Sequence, residues 1–190
     1  MTAMSKKDKK DLGIGAAVLL LLMSAMAVAA APRSGSPPDD TNLKMSSQIH
    51  KALATLPYYG VFDNLEYKIE GGTVTLSGQV VRPITKSDAE HRVAKIEGVD
   101  RVVDNIEVLP LSSFDDSIRA RTYRAVFRSG GLYRYAMGAN PSIHIIVDNG
   151  RVTLEGVVSS QMDSQLAYMA ADRVSGVFHV TNNLRVVKGS

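Results

Sequence analysis

Gly71–Val81 reads GGTVTLSGQVV, and Asn149–Ser159 reads NGRVTLEGVVS. Each copy is a turn followed by a strand, with apolar side chains at alternate places and a glycine at the same position. The match runs on without a gap, pairing Gly72 with Gly150 and Gly98 with Gly176; 150 − 72 and 176 − 98 both give 78. In that frame Val99 matches Val177, Val102 matches Val180 and Asn105 matches Asn183. A duplicated unit decides the architecture before any single element is assigned.

Working outward, Leu65, Tyr67 and Ile69 alternate with Glu66, Lys68 and Glu70, a strand with one wet face that meets the second strand at a Gly71-Gly72 turn. Val74, Leu76, Gly78 and Val80 then share one side. Upstream, Met45, Ile49, Ala52, Leu53 and Leu56 mark one face of a helix capped at Asp40 or Thr41 and ended by Pro57. Downstream of Pro83, Thr85–Asp88 has the form of a capping box. Ala89, Val93 and Ile96 follow at helical spacing, and Gly98 terminates the helix. Val102, Ile106 and Val108 face inward on a last strand, with Asp104 at an inward slot suited to a buried hydrogen bond.

The order repeats in the second half. Asp115-Asp116-Ser117 caps a helix over Ile118–Arg128, Ile143, Ile145 and Val147 form the first strand, and Val152, Leu154, Gly156 and Val158 the second. Ala167, Ala171 and Val174 mark the next helix, and Val180, Leu184 and Val186 the last strand. With Ile49 and Ile118 as equivalents, the second copy holds about nine extra residues before its first strand, within 129–142. The fold class is α+β: two tandem α-β-β-α-β domains over 42–109 and 115–187, joined by 110–114. Each has a three-stranded mixed sheet with two helices on one face.

The chain has 190 residues, 45% apolar and 22% charged, a globular composition. The net charge of +3 comes mainly from Lys6, Lys7, Lys9 and Lys10; beyond residue 31 there are 18 basic and 17 acidic side chains, no basis for a nucleic-acid partner. The charge is uneven, with eight basic and nine acidic groups over 44–110 against nine and six over 115–190. There is no Cys, which removes disulfides, thiolate nucleophiles and thiolate metal sites.

Residues 1–31 read as an export address. The lysines lead into the uncharged Leu12–Ala31, which ends near the small-x-small sequence Ala27-Val28-Ala29. The segment fits a cleaved signal peptide or an uncleaved anchor, and both leave the remainder outside the cytoplasm. A Pro/Gly/Ser linker follows over 32–41.

Together these features resemble the BON domain, a small bacterial envelope module. The resemblance rests on Gly-x-Val-x-Leu-x-Gly at Gly72–Gly78 and Gly150–Gly156, and on Gly98-Val99…Val102…Asn105-Ile106 with Gly176-Val177…Val180…Asn183-Leu184. It implies a periplasmic or membrane-associated protein similar to osmotically inducible periplasmic proteins. Such a protein attaches to phospholipid or mediates envelope contacts, without common catalytic residues; for this chain no cofactor, nucleic acid or small-molecule substrate is expected. Under the resemblance Gly72, Gly78, Gly98, Gly150, Gly156 and Gly176 are structural; Gly78 and Gly156 suit a bulge or a close helix approach.

The candidate lipid-binding surface lies on the first helix of the second copy. Arg121, Arg124 and Arg128 fall opposite Tyr123, Val126 and Phe127, and Tyr133, Arg134 and Tyr135 extend the basic surface. Arginine forks bind phosphate bidentately, and tyrosine suits the wet edge of a bilayer. His144 and His179 project from the sheet face away from the helices, without a third ligand at convincing spacing; no metal is assigned. Ile146 and Val157 share that face, so the other repeat or a partner is expected to cover it. No triad, nucleophile elbow, phosphate loop or zinc-protease helix is present, and the chain reads as non-enzymatic.

Overall fold

The computed structural model describes residues 40–138 and 140–187, all within one compact unit, Ser36–Ser190. The leader expected over 1–31, and the expected linker as far as residue 39, lie outside the described residues. The first repeat runs α1 (Asp40–Ala54), β1 (Asn64–Glu70), β2 (Thr73–Val80), α2 (Pro83–Val93), β3 (Arg101–Val108). The second runs α3 (Ser113–Phe127), a short 3-10 helix (Leu132–Ala136), β4 (Ile143–Asp148), β5 (Arg151–Val158), α4 (Gln161–Asp172), β6 (His179–Asn182) and β7 (Arg185–Val186). In both, the central strand pairs antiparallel with its predecessor and parallel with the strand returning after the helix. In the second repeat that returning strand is split into β6 and β7, both on β5.

The alternation read from the sequence sets the register. Ile69, Tyr67 and Leu65 stand opposite Val74, Leu76 and Gly78, so the apolar members of both strands share a face. Val74/Val152, Leu76/Leu154, Val80/Val158, Ala89/Ala167 and Val93/Ala171 occupy matching places, each at most 1% exposed. Burying a side chain of the Leu76 or Leu154 type stabilises a core by about 1.5–3 kcal/mol. Each repeat therefore has its own core, α1 and α2 closing the first and α3 and α4 the second.

Gly78 and Gly156 have φ of +112° and +115°, and a Cβ at either would lie 2.1 Å from the carbonyl oxygen of Asn64 or Ser142. The close neighbour is the start of the adjacent strand, not a helix. Glycine is needed because the chain there is left-handed and another backbone fills the side-chain space.

Four local expectations are corrected. α2 begins at Pro83, its N-cap Arg82 makes no side-chain bond, and Thr85 is buried inside the first turn with an unpartnered Oγ1. Proline at the first helical position moves the start upstream of the expected box. α3 begins at Ser113 and is capped by Ser112, whose side chain accepts from the Asp115 amide at 3.1 Å. Asp115 is 1% exposed and accepts from the Asn149 and Gly150 amides at 3.0 and 2.8 Å, pinning the β4–β5 turn to the helix. Val108 and Val186, expected inward, are 38% and 40% exposed at the ends of the outer strands beside buried Val80 and Val158.

The extra segment of the second repeat is not a surface appendage. Leu132 is fully buried and Tyr135 is 8% exposed. The Tyr135 hydroxyl accepts from the Ser159 amide and donates to Asp163 Oδ2, both at 2.9 Å. Asp163 also accepts from Ser160 Oγ at 2.7 Å, and its amide donates to the same oxygen at 3.1 Å, so Ser160 is the N-cap of α4.

Replacing Gly156 with Ala should lower unfolding stability by roughly 2–4 kcal/mol, from strain plus the carbonyl clash. Gly60→Ala, where the added Cβ meets nothing within 4 Å, should be near neutral; urea unfolding of the two variants checks both outcomes.

Candidate functional site: the exposed face of α3 and the cleft between repeats

α3 divides its residues sharply. Ile118, Arg119, Thr122, Val126 and Phe127 are buried, while Arg121, Arg124 and Arg128 are exposed. Tyr123 lies at the margin, its ring 4.8 Å from Phe127 and 6.2 Å from Phe62 of the first repeat. The aromatic face therefore turns toward the first repeat and the arginine face toward solvent. Among the described residues none of the three exposed arginines forms an ion pair. Arg121 donates from Nε to the Ser117 carbonyl at 3.2 Å, and its guanidinium lies with the Phe114 ring against Gly176. Phe114 is 46% exposed and stands 6.1 Å from Phe178, which is 74% exposed.

The extension of this surface is different from the sequence expectation. Arg134 is paired with Asp163 at 2.7 Å, donates to the Gly131 carbonyl at 2.8 Å, and lies 4.6 Å over the Tyr135 ring. The Asp163 bond holds the Arg134 guanidinium still more firmly charged, while the Ser160 hydroxyl, with Tyr135 and Arg134, keeps the Asp163 carboxyl below the usual carboxylate range. Arg134 thus secures the 3-10 helix, Tyr135 is core, and Tyr133 alone of the three is free and exposed. Arg119, unremarked in the sequence, is 3% exposed and donates to Asp116 Oδ1 at 2.6 Å and the Val147 carbonyl at 2.7 Å.

The outer face of the second sheet is covered by the Tyr59–Asp63 loop of the first repeat. The Ile145 amide donates to the Val61 carbonyl at 2.7 Å, His144 Nδ1 stands 3.3 Å from the Gly60 carbonyl, and the Tyr59 and His144 rings are 5.5 Å apart. His144 and Ile146 are accordingly only 8% and 5% exposed. Asp63 shapes the loop by accepting from the Gly60 and Val81 amides at 2.9 and 2.7 Å. Of the two histidines expected on this face, His179 is exposed on β6, across β5 from β4, so the two strands do not adjoin. Beside the loop a cleft of about 940 Å³ opens between the repeats, with Asn64–Tyr67 on one wall and His144, Glu155 and Arg185 on the other. The run Tyr-Tyr-Gly-Val-Phe before Asp63 was the sequence signal for this contact.

Burial pushes the Tyr59 hydroxyl up to about 12, raises Asp63 and lowers His144; the Gly60 carbonyl and Asp63 oppose the shift of His144 only in part.

The sequence profile of the BON domain matches residues 43–110 and again 115–188. Among solved structures, the chain is similar to the C-terminal domain of CdsD, the structural protein of the Type III secretion system of Chlamydia trachomatis. Identity is 13%, covering 78% of this chain and 99% of that one, with a TM-score of 0.32. A second CdsD structure from the same organism is 11% identical over 77% of this chain and 94% of that one, with a TM-score of 0.31. No curated protein sequence matches the chain.

His144 has a folded pKa below its ordinary 6.5, so the unfolded chain takes up the proton first as pH falls. Its contribution to stability is complete above pH 6.5 and declines from there toward the lower folded value. Urea unfolding should show a lower midpoint at about pH 5.5 than at about pH 7.5, and His144→Gln should shrink the difference. An unchanged difference in the variant would assign the pH dependence elsewhere.

Proposed function

The chain belongs to the BON-domain family, carrying the domain twice, and from that premise we propose that it is an exported, non-enzymatic envelope protein that docks on anionic phospholipid surfaces through its second repeat. The observation that carries the reading is the exposed face of α3, where Arg121, Arg124 and Arg128 stand without carboxylate partners among the described residues. Phe114, 46% exposed, lies with Arg121 against Gly176, and Phe178, 74% exposed, stands next to Phe114. Guanidinium groups recognise phosphate, and phenylalanine rings settle into the apolar layer just below the headgroups, so the two chemistries together suit an anionic bilayer surface. Tyr133, 64% exposed, adds to the aromatic contribution; Arg134, committed to Asp163, is assigned a supporting role. The leader, its lysines followed by the uncharged Leu12–Ala31, supplies export, and envelope integrity under stress is the physiological setting proposed.

Each basic side chain near an anionic surface contributes about 1 kcal/mol, enough for reversible docking by three. Flotation of residues 32–190 with vesicles should show binding to phosphatidylglycerol that weakens with salt, and little binding to phosphatidylcholine. The triple variant Arg121→Gln, Arg124→Gln, Arg128→Gln should lower partitioning roughly 100-fold. Equal binding to neutral and anionic vesicles would refute the assignment.

A further inference from the structure

The two sheets treat their outer edges differently. In the second repeat the edge of β4 is occupied: the Ile145 amide is bonded to Val61 and the Val147 carbonyl to Arg119. Ile143, Ile145 and Val147 are fully buried there. β1 occupies the same place in the first sheet and has the same register, Tyr67 opposite Leu76 and Ile69 opposite Val74, as Ile145 is opposite Leu154 and Val147 opposite Val152. The shared alternation directs the amides and carbonyls of Tyr67 and Ile69 outward, as it does those of Ile145 and Val147. Among the described residues no backbone or side-chain group meets them, and Leu65, Tyr67 and Ile69 are only half-buried. The cleft runs beside Asn64–Tyr67, where the Tyr59 hydroxyl lies against the Leu65 amide.

The covered edge shows what such a position accepts: a turn at Gly60–Asp63 brings the Val61 carbonyl to the strand and the Tyr59 ring over the residue at the His144 place. In the first repeat that place is held by Glu66, opposite Ser77 as His144 is opposite Glu155. The Glu66 carboxylate is met only by the Asn64 side-chain amide at 3.3 Å, and the nearby Lys68 is paired instead with Glu70 at 2.8 Å.

We propose that the free edge of β1 receives an extended polypeptide segment, which adds to the first sheet as a further strand and sets a lysine or arginine against Glu66. Main-chain bonds to Tyr67 and Ile69 supply the attraction, and Glu66 supplies the selection. The inference is independent of lipid docking, which uses the other repeat.

The test uses the compact unit Ser36–Ser190, which holds both cores, and the blocked peptide Thr-Val-Lys-Val-Thr. At saturating peptide, hydrogen exchange at the Tyr67 and Ile69 amides should slow at least about tenfold. The same peptide methylated on alternate amide nitrogens should give no protection, and the peptide with Glu in place of Lys should bind more weakly. Glu66→Lys should reverse that charge preference. Ile69→Pro removes an outward donor without breaking the ladder to β2, and should abolish protection at Tyr67 while circular dichroism reports an intact fold. Unchanged exchange with every peptide, or equal affinity for the methylated one, would overturn the proposal. So would protection that rises with protein concentration in the absence of peptide, which would identify a second copy as the occupant.

Discussion

The outer edge of a β-sheet presents amides and carbonyls that must find partners or remain in water. In the second repeat two elements meet that demand: the Val61 carbonyl at Ile145 and the Arg119 guanidinium at Val147. Much of the inter-repeat packing depends on the first of these contacts. For Val61 to reach β4, the chain after α1 must turn sharply, and Asp63 holds that turn by accepting from Gly60 and Val81. Once the loop is seated, Tyr59 covers His144 and Phe62 meets Tyr123. Ile146, which would otherwise be an apolar side chain on a wet sheet face, is enclosed.

The copies keep one scaffold and change what it carries. Lys86 pairs with Asp104 at 3.6 Å and donates to the Ile106 carbonyl; in the second repeat the same two places hold Ser164 and Asn182, joined by neutral hydrogen bonds. Asp100 packs over Gly72, whereas Phe178 packs over Gly150. Glu66 stands where His144 stands. These exchanges leave the cores intact and give the first repeat a polar outer sheet face and the second an aromatic, arginine-flanked end.

What was legible in the sequence was whatever is written as a period or a repeat. Val74, Leu76 and Val80 alternate, their counterparts alternate at the same offset, and a glycine stands at the same place in both strands; strand pairing and core followed. Local polar signals were less reliable because their partners are distant in the chain. Asp115 has the look of a helix cap, yet its carboxylate is taken by the Asn149–Gly150 turn. Arg134 sits beside exposed Tyr133 in a loop-like stretch, but Asp163 at the start of α4 claims it. The exposure of Arg121, Arg124 and Arg128 was readable because helical spacing alone places them, whereas Phe178 joins Phe114 only through the fold.

The seating of the Tyr59–Asp63 loop gives the tandem a polarity. The leading module contributes a clasp and the trailing one a receptacle, so the pair is not a set of interchangeable beads. Severed from its predecessor, the trailing module would show water an unsatisfied strand margin and the side chains of His144 and Ile146, a surface prone to sticking to other chains. Duplication of the trailing module alone would yield a copy without its clasp. For this protein the unit that travels intact is the couple, clasp and receptacle together.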